Sequence, residues 1–579
     1  MKYTLNDKIS HLPGESWAET LLRARGLNHD EIIQYLKPSK SALYDPSLLI
    51  NIDKGVELLK KHLDAGSIIY DVVDSDQDGV TSSAILYNYL KLIKPDIQIL
   101  WTMHSGKQHG VELDKVPPEA QLIIIPDAGS NQYEEHHILK GQGHDILVLD
   151  HHLCDKESED AVVINNQLGN YPNKDLSGAG VVYKFIKYFD QKYGYNYADN
   201  FLDLAAMGIV GDMMDLRNLE TRYIVHEGLT HLKNYGLTRF ALKQSFSIGN
   251  VDDITPTDVS FFIAPLVNAV IRVGTMAEKE TLFKAFISTS SDTEPSTKRG
   301  AKLGDKEVIA DKAARIATNA RNHQNKMIDQ SVQFIQGKIE KECLDENKIL
   351  IIALDDEEAD YVNPNLTGLV AMKLCQMYSR PAIVIRIADE DVYKGSFRVN
   401  SNSPLANFKD FCTQSRLVEY AEGHEQAAGI GIAAKNLNKF IKYCNKKLAS
   451  TNFGEGSYLV DFEFNGSYCQ DIESICFDLD NIKNIYGKGV EEPKVIINKI
   501  IFDQSDVFTM GKNKDSVKIA KDGISFVKFK DVDFAQKIQS YALGAITIYG
   551  KMNLNEFMGN YTPQVIIEDY ELENARAMF

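Results

Sequence analysis

Three apolar runs in the first third of this chain each end in an acidic motif, and that recurrence constrains the fold more than any other feature. Tyr70-Asp-Val-Val73 opens into Asp74-Ser-Asp76-Gln-Asp78-Gly79. Leu122-Ile-Ile-Ile125 opens into Pro126-Asp127-Ala-Gly-Ser130, and Ile146-Leu-Val-Leu149 into Asp150-His151-His152. The runs Ser67–Val73, Ile97–Leu100, Leu122–Ile125, Ile146–Leu149 and Ala161–Ile164 alternate with longer amphipathic stretches. This alternation predicts a mostly parallel sheet covered by helices. In such a sheet the three motifs share the carboxyl edge, where open α/β sheets bind ligands. A single Asp there is more simply a helix cap. Three motifs on one edge, one with two adjacent histidines, are not explained that way.

Asp74-x-Asp76-x-Asp78-Gly79 has the opening of an EF-hand loop, but position twelve is Ile85 rather than Glu, and a strand precedes it. The cluster instead suits Mn²⁺ or Mg²⁺, histidine tilting the choice toward Mn²⁺. It contains no cysteine, so structural zinc is not expected. Carboxylates sharing a cleft repel unless cations sit between them. Two ions about 3.5–4 Å apart would meet that need and would activate water for attack at phosphorus. Spacing therefore reaches a metal-dependent phosphoester or phosphoanhydride hydrolase. Asp212, in Gly208-Ile-Val-Gly211-Asp212-Met-Met-Asp215 at the end of a helical segment, is a further candidate ligand.

A chain of 579 residues exceeds one core and predicts three to four domains. Residues 1–60 read as helical and 61–300 as the α/β lobe. Residues 301–341 are the connecting segment, in which helical apolar spacing from 305 to 340 predicts a helix of about 50 Å at 1.5 Å per residue. A second α/β lobe spans 342–450, and short alternating strands over 455–579 predict a small β-barrel or sandwich. The net charge of −18 is unusual for a duplex binder, yet a local basic groove is enough for a nuclease. Seven cysteines without a CxxC pair suit a reducing cytosol, hence a cytoplasmic protein. The N-terminus lacks a secretory signal pattern, and no run of about 18 apolar residues predicts a membrane span.

The order of these motifs, from the Asp triplet through Asp127 and Asp150-His151-His152 to Asp212, resembles the DHH phosphoesterase superfamily. The resemblance implies metal ligation by Asp76, Asp78, Asp127, His151 and Asp212. It makes Asp74 a further ligand or a group that holds one in place. It implies that Asp150 orients the site and that His152 contacts the scissile phosphate, with Asp127, Asp150 and His152 as the catalytic set. Within the superfamily the chain is similar to RecJ over most of its length. The likeness is carried by Leu21-Leu-Arg-Ala-Arg-Gly26, Tyr44-Asp-Pro46, Ile164–Pro172, Leu176-Ser-Gly-Ala-Gly180 and Ala264-Pro-Leu-Val-Asn268-Ala-Val-Ile-Arg272. In the last of these Leu266 and Ile271 stand where the family usually has Arg and Gly, while Asn268 and Arg272 remain.

The second lobe resembles the superfamily's DHHA1 substrate-binding domain through Gly368-Leu-Val-Ala371, Arg380-Pro-Ala382, Gly395-Ser396-Phe-Arg398 and Gly423-His424-Glu-Gln-Ala-Ala-Gly429. Ser396, Arg398, Gly423 and His424 of this lobe, with Asn268 and Arg272 of the first, are the candidate substrate contacts, and Glu422 replaces a usual Gly. Residues 550–570 resemble the family's OB-fold, with Phe557, Tyr561 and Tyr549 as candidate base-stacking groups and core packing the alternative for each. The fold expected is thus a parallel-sheet DHH lobe, a connecting helix, a DHHA1-like α/β lobe and an OB-fold β-barrel. The function implied is 5′-to-3′ hydrolysis of single-stranded DNA to 5′-mononucleotides by a two-ion monomer, in DNA repair, recombination or replication. A single-strand-binding protein or a helicase fits as partner, and RNA stays open as a substrate. A small-substrate relative would not need the residues after 455, and a non-catalytic copy would have lost metal ligands that are all present here.

Overall fold

The computed structural model describes residues 2–574 apart from 107, 155, 249–250, 252, 390, 401–402, 406, 454–456, 467–469, 512 and 558, and apart from the side chains of Asp389, Gln470 and Phe557. The chain forms two compact units. One contains Arg25–His323 with Ile482–Glu491; the other contains the segment up to Ala24 with Gln324–Asn481 and Glu492–Phe579. The predicted N-terminal segment is thus divided, residues up to Ala24 grouping with the second unit and those from Arg25 with the first.

The first unit is built on five parallel strands: β1 (Ile69–Val73), β2 (Ile99–Met103), β3 (Leu122–Pro126), β4 (Asp145–Asp150) and β5 (Val162–Asn165). Their order is β2-β1-β3-β4-β5. Side chains along a strand alternate between faces, and the core divides accordingly. Ile69, Val73, Leu122, Ile124, Leu147 and Leu149 belong to one apolar cluster, whereas Tyr70, Val72, Ile123, Ile125, Ile146 and Val148 belong to another. Burial on both faces is why β3 and β4 read as unbroken apolar runs; β1 carries one buried acid, Asp71, which accepts from Ser83 Oγ at 3.0 Å. The chain leaves β1 for β2 on one side and returns to β3 on the other, so a topological switch point lies between β1 and β3. Helices α1 (Ile52–Ala65), α2 (Gln77–Ile93) and α3 (Gly178–Tyr193) pack on the sheet, and α4 (Leu202–Gly211) and α5 (Ala264–Val273) pack on α2.

Among the described residues one helical run, Pro256–Val273, is long and apolar enough by composition to cross a membrane, and half of it is buried in the protein. Leu266 and Ile271 sit in the core there, while Asn268 and Arg272, one turn apart on α5, lie on its half-buried side. The two departures from the family pattern thus feed packing.

Helix α6 (Ile309–Glu342) runs 34 residues. In the second unit follow β6 (Leu350–Leu354), α7 (Thr367–Tyr378), β7 (Ala382–Asp389), β8 (Val392–Arg398), β9 (Tyr420–His424), β10 (Ala427–Ala433) and α8 (Ala434–Lys447). The sheet order is β9-β10-β8-β7-β6, with β6 and β7 parallel and the rest antiparallel.

The C-terminal strands are β11 (Phe462–Asn465), β12 (Lys494–Asp503), β13 (Val507–Met510), β14 (Ser516–Lys521), β15 (Ile524–Lys528), β16 (Leu543–Phe557) and β17 (Asn560–Asn574). They form one sheet in the order β11-β12-β16-β17-β15-β14-β13. This is OB-like in its strand content but corrects the expected barrel: among the described residues the edge strands β11 and β13 do not pair, so the sheet is open. The long β16–β17 hairpin carries the expected aromatic residues to different places. Tyr549 is core, stacked on Tyr458 at 4.2 Å between ring centroids, whereas Tyr561 is exposed. The side chain of Phe557 lies outside the described residues.

Candidate metal centre

Each acid of the centre is placed by the end of a strand or helix, and its hydrogen bonds follow from that position. Asp74 comes directly after β1. Its Oδ2 is 2.6 Å from His109 Nδ1, its Oδ1 accepts from Gly110 N at 3.0 Å, and His104 Nε2 stands 3.7 Å away. Asp76 caps α2, accepting from Gly79 N at 3.0 Å. Gly79 has to lack a side chain, because a Cβ there would lie 2.5 Å from the Cβ of Asp74.

Asp78, in the first turn of α2, reaches across to the N-terminus of α3. It accepts from Ser177 Oγ at 2.9 Å, Gly178 N at 2.6 Å and Ala179 N at 3.1 Å. The positive end of α3 therefore helps hold a buried carboxylate. Asp127 follows β3 in a left-handed conformation, φ 65°. Its N–H donates to Leu149 O at 2.8 Å, and its buried Oδ1 accepts no hydrogen bond.

Asp150 ends β4 and is fully committed to local donors. Oδ2 accepts from Ser130 N at 3.0 Å; Oδ1 accepts from His151 N at 2.7 Å and His152 N at 3.1 Å, and lies 2.8 Å from His152 Nδ1. Burial alone would raise this carboxyl, but the hydrogen bond and charge of His152 outweigh it and hold the group below the usual range. The same contact pushes His152 up to about 9. His151 behaves oppositely: burial lowers it, and a backbone hydrogen bond with Leu176 helps hold the ring. Its Nε2 then faces Asp127 Oδ1 at 3.3 Å, Asp212 Oδ2 at 3.5 Å and Asp78 Oδ2 at 3.9 Å. Asp212 is the C-cap of α4, the end of a helix that disfavours a negative charge. An acid held there calls for a counter-charge.

The structure thus brings together seven of the residues singled out in the sequence. Their ligand atoms form three groups, each within 4.8 Å: Asp74/Asp76/Asp127, Asp78/His151/Asp212 and Asp127/His151/His152. The first two groups share no member, and the third links them. An orphaned buried carboxylate oxygen beside crowded acids and a neutral imidazole is the donor set of a hard divalent cation.

His104 and His109 were not anticipated. The run Ile97–Leu100 placed the strand end at residue 100, whereas β2 continues to Met103 and delivers His104 to the same carboxyl edge. Applying the strand-end rule to that fourth strand would have found His104; His109 lies further along the following loop, where that rule carries no signal.

Crowding fixes the protonation of the metal-free centre. Burial, with Asp78 and Asp76 beside it, pushes Asp212 up to about 8. Burial, with Asp74 and Asp78, pushes Asp76 up to about 6. Asp127 is raised well above the carboxylate range by burial and by Asp78, Asp76 and Asp74. The unfolded chain ionises such groups near pH 4, so the folded state binds more protons and metal-free stability falls as pH rises from there through about 8. His152 acts in the same direction: its contribution is complete below about pH 6.5 and is lost as pH rises through about 9. In EDTA the unfolding temperature is therefore expected to fall between pH 6 and 9, with a shallower slope in Asp212→Asn. A flat wild-type profile, or an unchanged slope in the variant, would overturn this account.

The remaining candidates lie elsewhere. Asn268 and Arg272 stand on α5. Ser396, Arg398, Gly423 and His424 belong to the second unit, where β9, β10 and β8 align His424 with Ala427 and Arg398, and Glu422 with Gly429 and Ser396. The Arg398 guanidinium packs over Gly368, where a Cβ would come within 2.6 Å of Nη2. Its Nη1 donates to Phe397 O at 2.7 Å, and no acid pairs with it among the described residues. Ser396 Oγ lies 3.1 Å from Thr367 Oγ1. Gly423 adopts φ 129°, and Glu422 and His424 are exposed.

A five-stranded parallel sheet that collects these acids and paired histidines at its switch point defines a DHH-type phosphoesterase lobe, and residues 68–209 match the DHH family, N-terminal domain. The chain belongs to the RecJ-like members of that family. It is 38% identical over 564 residues, 96% of each chain, to the SPbeta prophage protein YorK of Bacillus subtilis, which carries the name single-strand DNA-specific exonuclease. It is 25% identical to the single-stranded-DNA-specific exonuclease RecJ of Bacillus subtilis, over 95% of this chain and 67% of that one. The crystal structure of Thermus thermophilus RecJ in complex with Mn²⁺ has the same fold, with a TM-score of 0.71 at 19% identity over 98% of this chain and 79% of that chain.

Proposed function

We propose that this chain hydrolyses single-stranded DNA from its 5′ end, releasing 5′-mononucleotides with the help of two divalent ions, Mn²⁺ or Mg²⁺. The observation that carries the reading is the pair of disjoint ligand groups, Asp74/Asp76/Asp127 and Asp78/His151/Asp212, linked through the 3.3 Å approach of His151 to Asp127. The names of its relatives, single-strand DNA-specific exonucleases, and the Mn²⁺ and Mg²⁺ complexes of Thermus thermophilus RecJ support the substrate and the metal.

Divalent ions at such a centre supply a nucleophilic hydroxide near neutral pH and offset the charge on the leaving oxygen. The protein's own groups do the rest. Asp127 and His151 fix the spacing between the two ligand groups. His152, kept cationic by Asp150, donates from its free ring nitrogen to a non-bridging oxygen of the scissile phosphate. Asp150 is a positioning residue, since all its accepting capacity is spent on Ser130, His151 and His152. Arg398, whose guanidinium has a fork of donors and no acid partner among the described residues, binds a strand phosphate bidentately, with His424, Ser396 and the Gly423 backbone beside it in the sheet register. Asn268 and Arg272 supply further strand contacts. The polarity rests on the family likeness, as does a single-strand-binding protein or helicase partner.

Single strands labelled at the 5′ or the 3′ end, with duplex and RNA alongside, digested in Mn²⁺ or EDTA, test this directly. Early mononucleotide release from the 5′ label alone, on single-stranded DNA and only with metal, is expected. Early release from the 3′ label would overturn the polarity, and cleavage in EDTA the metal requirement. Arg398→Lys is expected to raise KM for single-stranded DNA about tenfold with a smaller change in kcat, because the lysine keeps the charge and loses the fork. Steady-state kinetics on an oligonucleotide check it, and an unchanged KM would remove Arg398 from the strand contacts.

A further inference from the structure

A second built cavity lies in the lobe of β6–β10. It has a volume of about 650 Å³ and opens between α6 and the loop that follows β6, with Gln330, Phe334, Asp360, Tyr361, Asn363 and Arg386 in its wall. Topology places it. Strands β6 and β7 are parallel, and Arg386 pairs in register with Leu354, the last residue of β6. Arg386 thus stands at the carboxyl edge of a parallel pair, where open sheets take ligands. Arg398 is in register with Ala382 at the opposite end of β7, four residues away, which is about 13 Å along a strand. The cavity is therefore distinct from the Arg398–His424 row.

Its wall has the chemistry of a nucleotide site. Phe334 and Tyr361 are stacked, 3.9 Å between centroids and 3° between planes, and Tyr361 remains 56% exposed. One face of the tyrosine ring is backed by phenylalanine and the rest of it is open to a ligand. The loop is tied down, since Ser331 Oγ donates to Tyr361 O at 2.7 Å. Arg386 keeps a buried Nε–H without an acceptor, and no carboxylate pairs with it among the described residues, although Asp360 shares the wall. The amides of Gln330 and Asn363 each offer a donor and an acceptor. A flat aromatic face, amides and an unneutralised guanidinium match a base, its polar edge and a phosphate.

We propose that this cavity binds one nucleotide, with the base stacked on Tyr361 and the phosphate held by Arg386. It rests on the nuclease reading only for the source of that nucleotide, which is either a residue of the single strand or a free 5′-mononucleotide. The test uses the full chain in EDTA, where the strand is not consumed. Titration calorimetry with dTMP and fluorescence anisotropy with a labelled twelve-residue oligothymidylate (on the order of the length an OB-type groove covers) are compared for wild type, Tyr361→Leu and Arg386→Gln, each checked for folding by circular dichroism. About tenfold weaker binding in the variants is expected. Weakened dTMP binding identifies a mononucleotide site, and weakening for the oligomer alone identifies a strand contact. If Tyr361→Leu does not fold, Arg386→Gln decides alone. Unchanged affinity for both probes in folded variants, or no binding of either by the wild type, would overturn the proposal. A wild type that binds but does not cleave in Mn²⁺ would instead sink the nuclease reading and leave this site standing.

Discussion

Asp127→Asn is expected to abolish hydrolysis and, in EDTA, to raise the unfolding temperature. Asparagine tolerates the left-handed conformation that position 127 adopts, φ 65°, so the substitution isolates the charge from the backbone. The wild-type carboxyl is buried, has an oxygen without a hydrogen bond, and shares its site with Asp74, Asp76 and Asp78. Removing that electrostatic cost should stabilise the metal-free chain by about 1–3 kcal/mol. In saturating Mn²⁺ the difference narrows or reverses. The wild type gains about 2.7 kcal/mol at a hundred times its Kd, while the variant gains far less. Activity should fall by at least about a thousandfold, near 4 kcal/mol of barrier. Thermal unfolding with EDTA and with Mn²⁺, alongside an oligonucleotide digest, reads all three. Full activity in the variant would remove Asp127 from the centre, and equal Mn²⁺ stabilisation would remove it from metal binding.

Gly208→Ala is expected to be nearly as damaging to activity, although residue 208 carries no functional group. A Cβ on Gly208 would lie 2.0 Å from Asp78 Oδ1 and 2.5 Å from the Ala179 Cβ. Helix α4 can hold Asp212 beside the other acids only because it passes that close to α2 and α3. The methyl must push Asp78 off the N-terminus of α3 or move α4 away. Overpacking of this kind costs about 1–3 kcal/mol, and a displacement near 1 Å at a catalytic constellation costs about a hundredfold in rate. Mn²⁺ affinity should fall about ten- to a hundredfold, as when a group that supports a ligand is lost. The variant's unfolding temperature, Mn²⁺ titration and digest rate test this. A folded variant with wild-type Mn²⁺ affinity would show that the α2–α4 contact does not position Asp78.

Legibility in the sequence differed by element for identifiable reasons. Strands β3 and β4 were readable because a strand covered on both faces is continuously apolar, β1 departs from that only at the buried Asp71, and the acids that follow all three fall at a fixed place in a parallel sheet. Strand β2 was less readable: its residues are only partly buried, so the apolar run stopped short of its true end and hid His104. The C-terminal strands were readable as strands, but closure into a barrel depends on whether the first and last edges meet, and no local pattern encodes that. Tyr549 and Tyr561 look equivalent in sequence, yet one is core and the other exposed, because the hairpin register sets which face each occupies.

By itself the sequence determined the residue types of the centre, their order along the chain and the sheet edge that would gather them, since periodicity and strand-end chemistry are local properties. The tertiary structure alone decided that Asp212 arrives on the end of a separate helix, that glycines at 178 and 208 let it and Asp127 approach, that His104 and His109 bracket Asp74, and that Arg386, without a carboxylate partner among the described residues, shares a cavity wall with a stacked aromatic pair. Each of these is a distance between segments far apart in the chain, and such distances are fixed by how helices and sheets pack on one another.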